Sequence, residues 1–292
     1  MRILKIAQIY WKLLTTVGLK RILSSFLNCF GFISLLIKPA ALFFPKNINL
    51  LNLGWIGYLG LVSISLAFAF IKCFPRRSIC KTLSSPDSTI EIKIGDLFDE
   101  PGHLVIGAND VFDTELGEVI KPSSVQGQFL KRIYNNDRAK LDADIEVVLE
   151  KFENIKTSEP NKNRGKSWRY PIGTTIVLGT FNKRYFWTAY GHMGNDLKVS
   201  SDADSIWNSL SNLWVEVRNK GHGEEIAIPV IGADLARTNL PRMALIKLII
   251  ISFVAASKKE IISKKLTLII YYKDLENINF YELESFLSSA CF

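Results

Sequence analysis

Residues 50–71 read LLNLGWIGYLGLVSISLAFAFI, 22 positions in succession without a charge. About 20 apolar residues of helix cross the hydrocarbon core of a bilayer, so this run is long enough to span one. Upstream, residues 22–44 form another apolar run, interrupted only by Lys38 and Pro39. It also spans if Lys38 lies at its end, where a long basic side chain reaches back to the interface. The alternatives fit poorly. A soluble core rarely tolerates so long an uncharged run. A secretory signal would not carry a 21-residue basic lead and a second span behind it.

Charge sets the orientation. The first 86 residues contain eleven Lys or Arg and no Asp or Glu. Arg2, Lys5, Lys12, Lys20 and Arg21 precede the first run; Lys72, Arg76, Arg77 and Lys81 follow the second. The connector of residues 38–49 has only Lys38 and Lys46. Basic flanks stay inside, which predicts a hairpin in a bacterial cell membrane with both termini cytoplasmic. Residues 1–21 sort Arg2, Lys5, Gln8, Lys12 and Thr15 from apolar neighbours at helical spacing, as in a helix lying on an anionic lipid surface; a plain basic tail is the alternative. In the second span Gly54, Gly57, Gly60 and Ser63 recur every three residues, a stripe that permits close packing but drifts around the helix.

The formal net charge of +8 therefore belongs to the membrane part. From Asp87 onward there are 25 basic and 28 acidic residues, without the excess that nucleic-acid binding requires. Cys29, Cys73, Cys80 and Cys291 have no metal-ligand spacing, and no metal site is expected. Residues 72–88, with Pro75 and Pro86, read as a juxtamembrane linker, and residues 89–292 as one domain.

Within that domain, residues 88–94, 104–108, 175–180, 185–190, 225–231 and 265–272 read as strands, with a tight turn at Asn182–Lys183. Residues 125–134, 141–152, 203–219, 241–257 and 281–291 have helical spacing, and residues 156–169 read as a solvated basic insertion. Strands alternating with helices predict an α/β sheet covered on both faces. The nearly uncharged stretch 243–256 is too short to span a bilayer and reads as a buried helix of that domain.

Open α/β sheets bind ligands at the carboxyl ends of their strands. Three such ends carry informative residues: Ile94-Gly95-Asp96-Leu97, then Val105-Ile106-Gly107-Ala108-Asn109-Asp110, then Ile228-Pro229-Val230-Ile231-Gly232-Ala233-Asp234-Leu235-Ala236-Arg237. A glycine turn feeding a helix N-terminus can cradle phosphate.

In this order, and with Lys121-Pro122-Ser123-Ser124-Val125-Gln126-Gly127 and Thr188-Ala189-Tyr190-Gly191 between them, these motifs resemble the macro domain over roughly residues 90–274. The resemblance implies a three-layer α/β/α fold with a mixed sheet that reads ADP-ribose and related nucleotides. By position, Asp96 would accept the adenine amino group and Asn109 would bind the distal ribose. Ser124 and Val125 would line one side of the diphosphate, and Gly232, Ala233, Leu235, Ala236 and Arg237 the other. Tyr272 would stack on adenine. With a double span ahead of it, the chain looks like the membrane-anchored macro effectors of type II Thoeris antiphage defence. That likeness implies a nucleotide signal made by a TIR-domain partner, oligomerisation on activation, membrane disruption and growth arrest.

Three departures stand out. Ser123 and Ser124 replace the glycines of hydrolytic macro domains. Asp234 puts a carboxylate in the phosphate loop, with Arg237 near enough in sequence to offset it. The loop after Asn109 holds Asp110, Asp113, Glu115 and Glu118. It reads either as a solvated loop or, for Asp110, Asp113 and Glu115, as a seat for a cationic head group such as the histidine of a conjugated ADP-ribose. His103, His192 and His222 are scattered, and no catalytic motif is present. The expectation is a sensor-effector without a cofactor. The alternatives are an anchored ADP-ribosyl hydrolase or deacylase, or an ADP-ribose reader with an inert anchor.

Overall fold

The computed structural model describes residue 11 and residues 19–43, 54–73, 78–158, 162–233 and 237–291. The basic segment expected over residues 1–21 therefore lies almost wholly outside the described residues. The chain divides into two compact units, residues 1–76 with 279–282, and residues 77–278 with 283–292.

In the first unit, α1 (Leu19–Phe43) and α2 (Gly54–Cys73) form an antiparallel pair. Ile22 and Phe26, early in α1, pack against Ala69 and Cys73, late in α2. Ser25 Oγ lies 3.5 Å from Cys73 Sγ, and Phe30 meets Tyr58 edge-on at 6.1 Å. The seam follows Ser65, Ala69 and Cys73, four residues apart, each buried. The three-residue stripe read from the sequence lies off this seam: Gly60 has open space around it, and Ser63 is exposed. The outer faces carry exposed Leu23, Leu35, Trp55, Ile56 and Ile64.

The second unit is a three-layer α/β/α domain. Its strands are β1 (Ser78–Thr82), β2 (Thr89–Ile94), β3 (His103–Asn109), β4 (Thr157–Ser158), β5 (Trp168–Arg169), β6 (Thr175–Thr180), β7 (Lys183–Met193), β8 (Val199–Ser200), β9 (Ile226–Pro229) and β10 (Lys265–Ile270). The main sheet runs β1-β2-β10-β9-β3-β7-β6, with β8 added to β7. The pairs from β2 through β10, β9 and β3 to β7 are parallel; β1 and β6 run antiparallel at the edges.

β1 falls inside the segment expected to be a linker. Its Ile79 pairs with Ile92 of β2 and both are buried, which gives this short strand a reason to add to the edge. Ser78 lies opposite Lys93, so the chain joins the sheet beside the carboxyl end of β2. The β6–β7 hairpin turns at residues 181–182, one residue earlier than read, and β7 extends to Met193.

Helices α3 (Val125–Ile133) and α4 (Arg138–Leu149) cover one face of the sheet. Phe129, Leu141 and Ile145 pack there on Leu104, Ile106 and Trp187, and Phe129 stands edge-on to Trp187 at 5.1 Å. Aromatic pairs in this geometry gain beyond their area burial. Helix α5 (Ala203–Lys220) packs on β7 and on α6 (Arg242–Ser257). Asp202 caps α5 by accepting from the Ser205 N–H at 2.7 Å. Trp214 of α5 satisfies its buried indole N–H on Ser252 of α6 at 2.9 Å. Helix α7 (Phe280–Ala290) ends the described chain.

Candidate functional site

Because β2, β10, β9, β3 and β7 are parallel neighbours, their carboxyl ends share one edge. At about 4.8 Å per strand that edge is about 19 Å long, room for an extended nucleotide. The residues singled out in the sequence are distributed along it in strand order.

At the β2 end, Asp96 caps a short 3-10 turn, Leu97–Asp99, by accepting from the Phe98 N–H at 3.1 Å. Its other oxygen meets Arg132 of α3 at 2.8 Å. Beside it, after β10, the Tyr271 and Tyr272 rings lie 4.3 Å apart, and Tyr272 is half-buried.

At the β9 end the chain turns through Gly232 at φ +83°. A Cβ there would stand 2.7 Å from Ile206 Cδ1, so both the backbone angle and the packing call for glycine. Thr238 donates to the Gly232 carbonyl at 3.2 Å and accepts from the Leu240 N–H at 3.3 Å, closing the turn ahead of α6. Ala233 is half-buried and Arg237 exposed, while Asp234, Leu235 and Ala236 lie outside the described residues.

The next motif is the start of α3. Ser124 caps it, accepting from the Gly127 N–H at 3.1 Å and donating to the Lys121 carbonyl at 2.7 Å. The Ser124 N–H itself donates to Lys121 O, so Val125 and Gln126 hold the uncapped first-turn donors. Gly127 lets the loop lie on the helix: a Cβ would come 2.6 Å from Lys121 O.

At the β3 end a register shift at Ala108/Asn109 sets Asn109 opposite Gly191 and aims its side chain into the following loop. Asn109 is 2% exposed. Its carbonyl accepts from the N–H groups of Val111 and Asp113 at 3.3 and 3.1 Å, and its amide donates to Asp113 at 3.4 Å. Asn109 thus organises the acidic loop from the strand end at which the resemblance implies a ribose contact.

The basic insertion reverses another expectation. Lys162, Arg164, Lys166 and Arg169 form a strap over the acidic loop, with Lys162, Lys166 and Arg169 largely buried and Arg164 half exposed. Asp113 and Lys162 pair at 2.6 Å with side chains 0% and 1% exposed. Lys162 also donates to the Lys166 carbonyl at 2.8 Å, and the Lys166 N–H donates to Asp113 at 2.6 Å. Arg169 holds Asp110 at 2.7 Å, and Arg164 holds Glu115 at 3.0 Å and Glu118 at 2.5 Å. Burial pushes the Asp113 carboxyl above its usual range, with Lys162 and Lys166 pulling the other way. For Asp142, burial raises the carboxyl, but Thr114, Lys166 and Arg138 outweigh it and leave it below the usual range. The three carboxylates assigned to a cationic head group are thus already neutralised by the chain's own cations. The excess of base over residues 162–169 matches the excess of acid over residues 110–118, and that complementarity was the sequence signal for the strap.

Asp110 has a further neighbour. Its carboxylate lies 2.8 Å from His192 Nδ1 at the end of β7 and accepts from the Met193 N–H at 2.8 Å. His192 remains largely exposed, with Nδ1 toward the buried carboxylate. Among the described residues no group of three or more His, Cys, Asp or Glu could hold a metal ion.

Along this edge, then, stand a carboxylate and an aromatic pair, a glycine turn with helix N–H donors, and a buried amide with an imidazole. The family described as "Thoeris protein ThsA, Macro domain" matches residues 90–271. Among characterised proteins, the Thoeris protein ThsA of Bacillus amyloliquefaciens (strain Y2) is 27% identical over 237 residues, covering 78% of this chain and 76% of that protein. Among solved structures, the Oceanobacillus iheyensis macrodomain with ADP superposes at a TM-score of 0.51, with 15% identity, over 73% of this chain and 100% of that one. A mutant of the same macrodomain with ADPR gives 0.51 at 16% identity, over 72% of this chain and 99% of that one. At such identity these two structures establish the fold.

Proposed function

Since the chain belongs to the ThsA macro-domain family of Thoeris proteins, we propose that it is a membrane-anchored sensor-effector whose macro domain binds an ADP-ribose-derived signal. The signal would come from a TIR-domain partner. Its binding would drive the spans to assemble, breach the bacterial inner membrane and arrest growth.

One observation carries the membrane part. The apolar windows of the two helices are only 6% and 17% buried within the fold. The core helix of a soluble protein buries its leucines; these helices leave them outward, and lipid supplies the missing cover. For the ligand, support comes from the edge itself: Asp96 and the tyrosines offer an acceptor and aromatic rings to a base, and the Gly232 turn and the N-terminus of α3 offer backbone N–H groups to a diphosphate. The reading is of a binder. The strap closes the β3 end with paired charges, and the described edge holds no nucleophile paired with a base.

Liposomes loaded with dye and carrying the full-length chain test this. Saturating ADP-ribose-type signal should enlarge the oligomer and release dye, and Gly57→Leu should block release while leaving nucleotide affinity intact. Binding without leakage or assembly would leave only an anchored reader. A second reading, hydrolysis of ADP-ribosyl bonds, draws on His192 backed by Asp110. It requires turnover of ADP-ribosylated protein that His192→Gln abolishes.

A further inference from the structure

The Asp96 carboxylate at the β2 end is not alone. One oxygen accepts from the Phe98 N–H at 3.1 Å, and the other from Arg132 Nη2 at 2.8 Å. The Arg132 guanidinium is fixed from two further sides. Its Nε donates to Gln128 Oε1 at 3.2 Å, one helical turn back on α3, and its Cζ lies 5.2 Å from the centroid of the Phe98 ring. The fold gives little reason for such restraint. The Arg132 and Asp96 side chains are 39% and 22% exposed, and ion pairs so close to water contribute little to stability. The arrangement does something else: it sets a hydrogen-bond acceptor and a rigid fork of donors side by side at the edge of the site. With Nη2 and Nε used, Nη1 is the remaining arm of the fork.

An acceptor next to a donor complements a base edge that sets a donor beside an acceptor. Adenine presents the N6 amine as donor and N7 as acceptor on its Hoogsteen side, whereas guanine presents O6 and N7, both acceptors. Against Asp96 and Arg132, the Hoogsteen edge of adenine satisfies both groups, and the same edge of guanine would set O6 against a carboxylate. Building on the reading of this edge as an ADP-ribose site, we propose that Arg132 is a specificity-determining residue that donates to adenine N7 while Asp96 accepts from N6. The sequence reading assigned this recognition to Asp96 alone, because Arg132 is 36 positions away and reaches it only through the packing of α3.

The two roles open to Arg132, reading the base or merely holding Asp96, separate with a ligand that lacks N7. Calorimetry on the full chain in detergent would use ADP-ribose, its 7-deaza-adenine analogue, in which a C–H replaces N7, and the guanine counterpart. The folded chain should bind ADP-ribose about tenfold more tightly than the 7-deaza analogue, and the guanine ligand more weakly still. Arg132→Ala should bind ADP-ribose about tenfold more weakly and no longer distinguish it from the 7-deaza analogue. Arg132→Lys keeps a cation on Asp96 but loses the fork, so it too should lose the distinction. Equal affinity of the unaltered chain for the two adenine ligands would overturn the assignment. So would tighter ADP-ribose binding by Arg132→Ala, which would mean that the ion pair holds Asp96 away from the base. If the unaltered chain binds none of the three, the nucleotide site itself is lost, and Arg132's role with it.

Discussion

Replacing Lys162 with Met removes the charge from the strap while keeping an unbranched stem of similar length. In the native fold Lys162 Nζ makes two bonds, to Asp113 at 2.6 Å and to the Lys166 carbonyl at 2.8 Å. After the change, Asp113 keeps only the Lys166 N–H at 2.6 Å and the Asn109 amide at 3.4 Å, at a position with no solvent exposure. Removing one partner of a buried pair costs about 3–5 kcal/mol, because the other charge stays buried without its counter-ion. For a domain of this size each kcal/mol moves the melting temperature by about 2–4 °C, so melting should fall by roughly 6–20 °C. The loss should also depend on pH in a defined sense. Burial already holds the Asp113 carboxyl above its usual range, and without Lys162 it rises further. A carboxyl raised in the folded state keeps its proton where the unfolded chain has lost it. Its stabilising contribution is therefore present below the ordinary carboxylate value and is lost as pH rises through the folded value. The defect of Lys162→Met should be fullest at neutral pH and above, and should shrink as pH falls toward the carboxylate range. Adding Asp113→Asn, which can still accept from Lys166, should restore most of the loss. Melting followed by tryptophan fluorescence in detergent across pH reads all three outcomes. A shift under about 2 °C, or a defect that does not change with pH, would refute the buried pair as the latch of the strap.

Two further changes probe the rest of the edge. Gly232→Ala forces a side chain into the left-handed region and against Ile206; it should cost about 1–2 kcal/mol from the backbone alone, seen as a lower melting temperature, and Gly232→Glu should abolish ADP-ribose binding by calorimetry. Asn109→Ala leaves the Val111 and Asp113 N–H groups without their acceptor; it should cost about 1–3 kcal/mol and loosen residues 110–113, read as faster amide exchange there.

The fold was largely legible because its signals are local. The charge break near residue 86, the apolar stretch now seen as α6 and the β6–β7 alternation each declare themselves within one element. What stayed hidden depends on pairs distant in sequence. Lys162 lies 49 positions from Asp113, and Arg169 lies 59 from Asp110. A basic run met alone looks solvated; only the fold brings it onto the acidic loop and buries Lys162 against Asp113 and Arg169 against Asp110. Asn109 was correctly placed at a strand end, but its use was not visible there, because its partners are backbone groups of the next turn. β1 was missed for a different reason. Five residues with two lysine or cysteine positions facing out carry no periodic signal, and an edge strand needs only its inward residues.

That edge strand has a mechanical consequence. β1 is the first described segment after the apolar hairpin, and among the described residues it is secured to the sheet by a single partner, β2, over five paired positions. Peeling those five residues away would lengthen the leash, the chain between the apolar hairpin and the sheet, by about 17 Å at the usual rise per residue. It would also bare the ladder of β2 for a strand from another copy. The point at which the leash is fastened, Ser78 opposite Lys93, is three residues from Asp96. Whatever stiffens the carboxyl end of β2 therefore also bears on how firmly β1 is held there, three residues from Asp96.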